Sequence, residues 1–236
     1  MYRDLSWLWP IVSEPRNYVS EASLISGLIK SNTRNPMRTL LHLGCGGGHL
    51  DKALKRRFNV TWVDISGQMI ALARKLNPEQ EYLRGDMRTI RLGRLFDAVV
   101  IDDSIDYMTT EEDLRRAFLT ARDHLRQGGV FCTYAELTVE RFEQNKTEVS
   151  THKGGGVDVV FLENTYDPDP SDTQCEFTFV FLIKEDGILR VETDRHIAGL
   201  FRMDTWVEIM EDIGFKVRRC EYPGEGIPMF VCLKPL

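Results

Sequence analysis

Three glycines at alternate positions, Gly44, Gly46 and Gly48, give the clearest chemical signal in this sequence, and they directly follow the apolar run 39–43. A loop that brings backbone amides into contact with a ligand cannot carry side chains at such positions. A dinucleotide-binding fingerprint would need its third glycine at position 49, where this chain has His49. The spacing alone leaves open a tight turn without a ligand, or a nucleotide loop of another class.

An acidic residue, Asp64, ends the next apolar segment, about twenty residues after the first glycine. A Rossmann-like unit places its ribose-binding carboxylate at this distance, and a carboxylate can accept hydrogen bonds from two vicinal hydroxyls. We therefore expect Asp64 to bind a ribose. The alternative is that Asp64 caps the helix that follows it.

Further polar residues follow the apolar segment 96–101, namely Asp102, Asp103, Asp106 and Tyr107. A base at the end of a strand could take a proton from an amine or hydroxyl nucleophile, and carboxylates would attract a cationic amine. We expect Asp106 or Tyr107 to act as a base or as a substrate anchor. The alternative for both is a contact at a helix entry or against a cofactor.

The elements that must position these residues alternate between buried strands and helices, which is typical of an α/β fold with a parallel sheet. Strands are predicted at 39–43, 59–64, 82–87 and 96–103, and a fifth strand begins at Gln127. Helices are predicted at 18–29 and 111–125. A capping box at Thr205–Glu208 predicts a last helix that ends before Gly214, followed by an antiparallel pair of strands at 215–220 and 229–234.

Four landmarks occur in one order along the chain: the glycine frame, Asp64, the pair Gly85-Asp86, and the turn Leu125-Arg126-Gln127-Gly128-Gly129. Together they resemble the class I S-adenosylmethionine-dependent methyltransferases, although Gln127 replaces a proline that is usual in the turn. The resemblance implies a Rossmann-like, seven-stranded, mostly parallel sheet with helices on both faces, and S-adenosylmethionine as the cofactor.

The resemblance also implies which residues hold the cofactor. In that family the glycines approach the methionine part, the residue at Met69 lines the cofactor, and the acid at Asp86 accepts from the adenine amino group. Met69 could equally be a core residue. The expected cofactor-binding residues are Gly44, Cys45, Gly46, Gly48, Asp64, Ile65, Met69, Gly85, Asp86, Met87 and Asp102.

The activity implied by the resemblance is methyl transfer to a small molecule by in-line displacement. The segment after Ile101 lacks the Asn-Pro-Pro-Tyr type of motif found in methyltransferases that act on base amino groups, and its acids favour a cationic amine. N-methylation is therefore the leading hypothesis. The layout is similar to that of aminosugar N,N-dimethyltransferases, including Arg195, His196, Leu200 and Phe201 before the last helix. Tyr107 stands where those enzymes have a histidine.

Two rival functions remain at this point. An NAD-dependent oxidoreductase would also use Asp64 on a ribose, but His49 at the third glycine position leaves the contact with a pyrophosphate unexplained. A non-catalytic cofactor-binding or assembly protein would keep the fold without the chemistry.

Composition limits the partners further. The chain has 236 residues, a formal net charge of -6 and a pI near 5.5, which argues against nucleic acid as a partner. Its N-terminus lacks a signal sequence and no segment is long enough to span a bilayer, so we expect a cytoplasmic protein without a membrane partner. The five cysteines predict buried thiols, His42 is expected in the core, and the histidine spacing predicts no metal site.

An insertion follows the fifth strand. The segments 157–166, 173–184 and 188–197 alternate with period two, and Asp186-Gly187 is a hairpin turn signal, so an antiparallel β meander is predicted. One of its faces carries Cys175, Phe177, Phe179, Phe181 and Ile183. Such a face needs a cover, and we predict both a cap over the site and a homodimer contact.

The predicted organisation is a single methyltransferase domain over 1–236. Aromatic residues near the N-terminus, Tyr2, Trp7 and Trp9, could form a lid or simply pack on the sheet. The expected parts are an N-terminal arm and helix (1–36), a cofactor-binding core (37–135), an inserted antiparallel cap (136–200), and a last helix with a terminal β-hairpin (201–236).

Overall fold

A computed structural model describes residues 4–13, 18–33, 36–224 and 226–236, so Tyr2 lies outside the described residues. The helices are α1 (Trp9–Val12), α2 (Tyr18–Ser31), α3 (His49–Leu54), α4 (Gly67–Leu76), α5 (Glu111–Asp123) and α6 (Met203–Asp212). The strands are β1 (Thr39–Leu43), β2 (Asn59–Asp64), β3 (Glu81–Arg84), β4 (Phe96–Val100), β5 (Leu125–Tyr134), β6 (Lys146–Gly154), β7 (Val157–Tyr166), β8 (Gln174–Glu185), β9 (Ile188–Gly199), β10 (Lys216–Glu221) and β11 (Pro228–Leu233).

The central sheet has seven strands in the order β10-β11-β5-β4-β1-β2-β3. Strands β1 to β5 are parallel, whereas β11 is antiparallel to both β5 and β10. Helices α5 and α6 cover one face, and helices α2, α3 and α4 cover the other. The predicted Rossmann-like fold is confirmed. Because the carboxyl ends of the parallel strands meet at one edge, the residues after β1, β2 and β4 come together there.

The sheet forms because its strands are apolar on both sides, as expected for a parallel sheet covered twice. Leu41 and Leu43 face the core with α5 and α6, whereas Leu40 and Trp62 face the core with α2 to α4. All four side chains are buried. The strand ends are therefore held on a rigid scaffold, which fixes the positions of the polar residues that follow them.

The insertion forms a second, antiparallel sheet in the order β6-β7-β8-β9, which confirms the predicted meander and adds a strand to it. The sequence does not predict strand β6, because its polar residues show no apolar alternation. The predicted turn at Asp186-Gly187 has positive φ at both residues, as a type I′ hairpin requires. The face with Phe179 and Phe181 packs against Leu8 of the N-terminal segment, so this chain itself covers most of it.

The start of the last helix differs from the prediction. Helix α6 begins at Met203 rather than after Thr205, and no side chain of its N-cap residue Arg202 closes its first turn. Instead, the carboxylate of Glu140 accepts hydrogen bonds from the backbone N–H of Met203 at 3.1 and 3.2 Å. A carboxylate from a distant segment thus supplies the cap that the local sequence pattern suggested for Thr205.

Two further expectations concern membranes and thiols. Among the described ranges, no helix combines the length and the apolar character that crossing a bilayer requires. All five cysteines are free thiols, and four of them are buried while Cys220 is half-buried. The cytoplasmic location stays a prediction.

Candidate functional site

A cleft of about 1650 Å³ opens at the carboxyl ends of β1, β2 and β4 and continues beneath the inserted sheet. Pockets for one drug-sized ligand occupy roughly 300 to 1,000 Å³. The cleft is therefore large enough for two molecules side by side. One end is formed by the glycine loop, and the other by the segment after β4 together with the inner face of β7, β8 and β9.

The glycine loop is a sharp turn in which glycine is required at two positions for different reasons. Gly44 has φ +83°, and a Cβ there would overlap the side chain of Ser104. Gly46 has φ +52°, and a Cβ there would meet nothing within 4 Å. Gly44 thus allows close packing within the protein, whereas Gly46 borders open space in the cleft.

Asp64 connects the glycine loop to the end of β2. Its carboxylate accepts hydrogen bonds from the backbone N–H of Gly46 at 2.8 Å and of Ser66 at 2.7 Å. Burial raises the pKa of Asp64 above its usual value, while these two bonds oppose that shift. Ser66, not Asp64, is the N-cap of α4. Asp64 lines the cleft and holds the turn, and its oxygens keep further acceptor capacity for a ligand.

The N-terminal segment covers the glycine loop. The indole N–H of Trp9 donates to Nδ1 of His49 at 3.2 Å, and the ring of Tyr18 stacks on His49 at 5.6 Å. A Cβ at Gly47 would collide with the Trp9 indole. Trp9 therefore lies on the loop and lines the cleft, whereas Trp7 is 37% exposed with Arg190 over its ring. Trp9 takes the position of a lid residue, while Trp7 lies at the surface.

A buried ion pair lies directly beneath the strand ends, and sequence reasoning did not find it. His42, on β1, has Nδ1 2.6 Å from Asp51 and Nε2 3.3 Å from Asp102. Burial by itself would lower the pKa of His42, but the carboxylates of Asp102 and Asp51 raise it well above its usual value. His42 is thus an imidazolium that anchors Asp102 at the cleft wall. Its spacing from Asp51 gave no signal, because the two residues lie on different elements.

A second cluster joins Glu21 of α2 to the segment after β4. The hydroxyl of Tyr134 donates to Asp103 and lies 3.3 Å from the Glu21 carboxylate. Burial, then Asp102 and Asp103, raise the pKa of Glu21 to about 8. Glu21, Asp102 and Asp103 all line the cleft. No motif marked Glu21, since an acid within a helix is ordinarily a surface residue.

Asp86 has an intramolecular partner in the structure. Its carboxylate accepts from the Arg88 guanidinium at 2.6 Å, and Arg88 also reaches Asp113 at 3.0 Å. The hydrogen bonds from Arg88 hold the pKa of Asp86 below its usual value, so Asp86 is ionised. A hydrogen bond to a ligand at this position would have to use the acceptor capacity that Arg88 leaves.

At the opposite end of the cleft, Tyr107 meets His196 from β9. The Tyr107 hydroxyl lies 3.4 Å from Nδ1 of His196, and Nε2 of His196 lies 3.1 Å from the Asp194 carboxylate. The ring of Phe179 packs on His196 at 4.8 Å. Burial lowers the pKa of His196 to about 4, so the ring is neutral at pH 7 and can accept a hydrogen bond.

Asp106 lies beside this group and is 8% exposed. Its Oδ1 atom has no hydrogen-bond partner among the described residues, although the side chain lines the cleft. Burial, then Glu136 and Asp103, raise the pKa of Asp106 well above its usual value. A buried carboxyl without a partner is costly, and such groups are common where a ligand supplies the missing partner.

Comparison with known proteins finds a domain model, relatives and solved structures that are similar to this chain. Residues 40–129 match the model of a methyltransferase domain. The dTDP-3-amino-3,4,6-trideoxy-alpha-D-glucopyranose N,N-dimethyltransferase of Streptomyces venezuelae is 29% identical over 92% of this chain and 91% of its own length. The solved structure of Streptomyces venezuelae DesVI has a TM-score of 0.88 at 26% identity, over 100% of this chain and 99% of that one. In sequence and in fold the chain is similar to class I S-adenosylmethionine-dependent methyltransferases, and these findings together identify it as an S-adenosylmethionine-dependent methyltransferase.

Other comparisons agree at the levels of sequence and fold. A dTDP-4-amino-2,3,4,6-tetradeoxy-D-glucose N,N-dimethyltransferase of Saccharopolyspora spinosa is 26% identical over 93% of this chain and 87% of its own length. CalS10, an amino pentose methyltransferase from Micromonospora echinaspora solved with bound S-adenosylmethionine, has the same fold, with a TM-score of 0.83 at 23% identity over 93% of this chain and 92% of that one. The predicted methyltransferase class and its cofactor are confirmed, and the oxidoreductase and scaffold alternatives are not supported.

The residues of this methyltransferase fit S-adenosylmethionine. The open space beside Gly46 allows a ligand to contact the backbone, and the Asp64 carboxylate has acceptor capacity for ribose hydroxyls. The carboxylates of Asp102 and Asp103 suit the ammonium group and the sulfonium, and the Glu21 carboxyl can accept a hydrogen bond from the ammonium group. The fit is therefore chemical as well as steric.

Most of the expected site residues line the cleft of the methyltransferase. These are Gly44, Cys45, Gly46, Gly48, Asp64, Ile65, Gly85, Asp86, Met87, Asp102, Asp106 and Tyr107. Met69 is the exception, since it is 1% exposed, lies within α4 and does not border the cleft. This position fits the core alternative for Met69, and its contact with the cofactor stays a prediction. Tyr18 borders the cleft, whereas His152 lies on β6 away from it.

Proposed function

We propose that this methyltransferase transfers methyl groups to the amine nitrogen of a small molecule of the amino-sugar kind. The observation that carries the proposal is the group formed by Asp106, Tyr107 and His196 at the far end of the cleft from the glycine loop. The relatives named above act on amino sugars, which supports an amine acceptor. When bound, S-adenosylmethionine supplies a methyl group on a sulfonium, and an amine with a free lone pair can accept it.

The proposed roles of the protein's residues are positioning and proton handling. Gly44, Gly46 and Asp64 hold the cofactor at the glycine loop, with Gly48, Gly85 and Asp86 completing that wall. Asp106 binds the amine of the acceptor. The Tyr107 hydroxyl, oriented by the neutral ring of His196, accepts a hydrogen bond from the amine as the amine becomes more acidic, or takes its proton while passing the phenol proton to Nδ1 of His196. Proximity of the two bound molecules supplies most of the rate, on the order of 7 kcal/mol or more.

The proposed organisation assigns the parts of the chain to these tasks. Residues 37–135 bind the cofactor, residues 1–36 cover the glycine loop, residues 136–200 close the acceptor end, and residues 201–236 complete the sheet.

A homodimer through the inserted sheet is also proposed. The outer face of the inserted sheet, opposite the aromatic face, carries three exposed apolar side chains. They are Val149, Leu182 and Val191, which are 61%, 38% and 58% exposed. Leu182 and Val191 are direct neighbours in the β8–β9 pairing. Apolar side chains side by side on an exposed sheet favour burial against a second copy.

Calorimetric titration tests the proposed function first. We expect S-adenosylmethionine and S-adenosylhomocysteine to bind at micromolar concentrations and NAD not to bind. Asp64→Asn, which keeps the side-chain shape, and Asp64→Ala should each weaken binding tenfold or more. Asp204→Asn, an exposed carboxyl on α6, is the control and should leave binding unchanged. A panel of amines with labelled cofactor then tests transfer, and binding of NAD alone would overturn the proposal.

A further inference from the structure

The charges that line the cleft are strongly unequal. Among the described residues, fourteen carboxyl side chains and four basic side chains border it, so an anionic ligand would enter against the field. The relatives named above are dTDP-sugar methyltransferases, and a nucleotide diphosphate carries about two negative charges at pH 7. The relatives therefore support the amine of the acceptor but not its nucleotide diphosphate.

Within the part of the chain that the structure describes, all four basic side chains of the cleft already have acceptors. Arg88 binds Asp86 and Asp113, and Arg195 binds Glu176. The other two basic side chains likewise have partners: Lys146 Nζ lies 2.8 Å from Glu148, and Arg141 donates to the carbonyl of Gly226 at 2.6 Å. A diphosphate is held in proteins by guanidinium or ammonium groups. Binding one here would require an existing ion pair or hydrogen bond to break.

The acceptor end of the cleft has the opposite character. Asp106 is nine-tenths buried, lines the cleft, and has an Oδ1 atom with no hydrogen-bond partner among the described residues. Glu136 and Asp103 lie close enough to repel its charge. A cation placed against Asp106 would supply the missing partner and relieve the repulsion between these carboxylates. This orphaned buried oxygen identifies a ligand group, whereas the acidic surroundings alone would not.

We infer that the acceptor of this methyltransferase is a free cationic amine, with Asp106 as the residue that receives its ammonium group, and not a nucleotide-diphosphate sugar. The inference rests on the proposed function, because it names the acceptor class of the same site. It makes Asp106 a specificity-determining residue. Glu136 supports it by raising the local negative potential. The amine must then lose one proton before transfer, and this proton passes either to solvent or to the Tyr107 hydroxyl, which hands its own proton to Nδ1 of His196.

Two probes that share one sugar separate the alternatives. Methyl glucosaminide is a free amino sugar, and UDP-glucosamine is the same amino sugar on a nucleotide diphosphate. Each is titrated calorimetrically into the full chain saturated with S-adenosylhomocysteine. We expect methyl glucosaminide to bind at least tenfold more tightly than UDP-glucosamine. Its affinity should fall as sodium chloride rises from about 50 to about 500 mM, because the contact is ionic.

Asp106→Asn tests the assigned residue. It keeps the side-chain shape and should weaken the binding of methyl glucosaminide tenfold or more. The affinity for S-adenosylhomocysteine should stay unchanged, which also shows that the variant is folded. Asp204→Asn is the matched control and should bind both ligands normally. Tighter binding of UDP-glucosamine, binding of neither probe, or unchanged binding by Asp106→Asn would each overturn the inference. If the unmodified chain does not bind S-adenosylhomocysteine, that result would instead contradict the proposed function.

Discussion

Tyr107 and His196 lie 89 positions apart in the chain, yet the Tyr107 hydroxyl is 3.4 Å from Nδ1 of His196 at the acceptor end of the cleft. Tyr107 comes from the segment after β4, whereas His196 comes from the inserted sheet. The insertion therefore lines the cleft with polar side chains of its own and is not only a cover.

Replacement of Tyr107 by Phe should lower kcat about tenfold or more, because the hydroxyl that orients or deprotonates the amine is lost. The KM for S-adenosylmethionine should stay within about twofold, since Tyr107 lies away from the glycine loop. His196→Gln should lower kcat in the same direction. Steady-state kinetics with a responsive amine, with the cofactor varied at saturating acceptor, measures both quantities.

The pH profile separates this role from a general structural one. The ring of His196 is already neutral at pH 7, because burial lowers its pKa to about 4. The pH–rate profile of the unmodified enzyme should therefore lack a step near pH 6.5 that belongs to His196. The profile of His196→Gln should have the same shape. A step of that kind would contradict the neutral ring, and unchanged turnover in both variants would remove Tyr107 and His196 from the mechanism.

Replacement of Gly46 by Ala should weaken the binding of S-adenosylhomocysteine tenfold or more, because the added methyl group would enter the open space beside the glycine loop. Gly93→Ala is a matched control. Both glycines have positive φ, at +52° and +65°, and a Cβ at either would meet no protein atom. Both variants should lose about 1 kcal/mol of unfolding free energy from backbone strain. Equal cofactor affinities in the two variants would show that Gly46 borders no ligand.

Much of the cofactor half could be predicted from the sequence, because local patterns determine it. The glycine frame, Asp64 and the strand ends lie on consecutive elements of a parallel sheet, and short connections bring their carboxyl ends to one edge. The Asp186-Gly187 turn fixed the β8–β9 register for a similar reason. Met69 shows the limit, since helical spacing could not say whether it faced the cleft or the core.

The parts that were missed depend on contacts between distant segments. Strand β6 pairs with β7 through its backbone, so its polar sequence gave no sign of a strand. The cap of α6 comes from Glu140, 63 positions before Met203. Glu21 and Tyr134 are 113 positions apart. No local pattern contains such information, because each partner is ordinary in its own sequence context.

Dimerisation can be tested on the outer face of the inserted sheet. We expect light scattering at micromolar concentration to give roughly twice the 27.2 kDa mass of one chain. Val191→Lys should shift the protein to a monomer, because a charge would have to be buried between the copies. Val19→Lys changes an equally exposed residue on α2 and should leave the mass unchanged. A monomeric mass for the unmodified protein would contradict the proposed dimer.

Glu21→Gln should change stability in a pH-dependent way. The folded-state pKa of Glu21 is raised to about 8, above the usual value near 4.5, mainly by burial. The folded state therefore keeps a proton on Glu21 that the unfolded state releases. The contribution of Glu21 to the free energy of unfolding is fully present below pH 4.5 and declines as pH rises towards 8. A glutamine at this position cannot ionise, so the variant does not lose this stability as pH rises. We expect the ligand-free variant to match the parent near pH 4.5 and to have a higher Tm near pH 8.5, by roughly 2 to 4 °C for each kcal/mol of unfolding free energy that the substitution restores. A gain of equal size at both pH values would refute the raised pKa.

Replacement of Asp51 by Asn should destabilise the fold strongly, because it leaves the buried charge of His42 with a single carboxylate, Asp102, at 3.3 Å. Breaking a buried ion pair from one side costs about 3 to 5 kcal/mol, and the Asn side chain should recover part of this through a hydrogen bond. Arg116→Gln breaks the exposed pair with Glu112 and should cost no more than about 0.5 kcal/mol. Urea unfolding of both variants at pH 7 gives the comparison. Costs of similar size would mean that His42 is neutral in the folded protein, since a neutral ring loses only one ordinary hydrogen bond. The cofactor affinity of Asp51→Asn should also fall, because His42 holds Asp102 at the wall of the cleft.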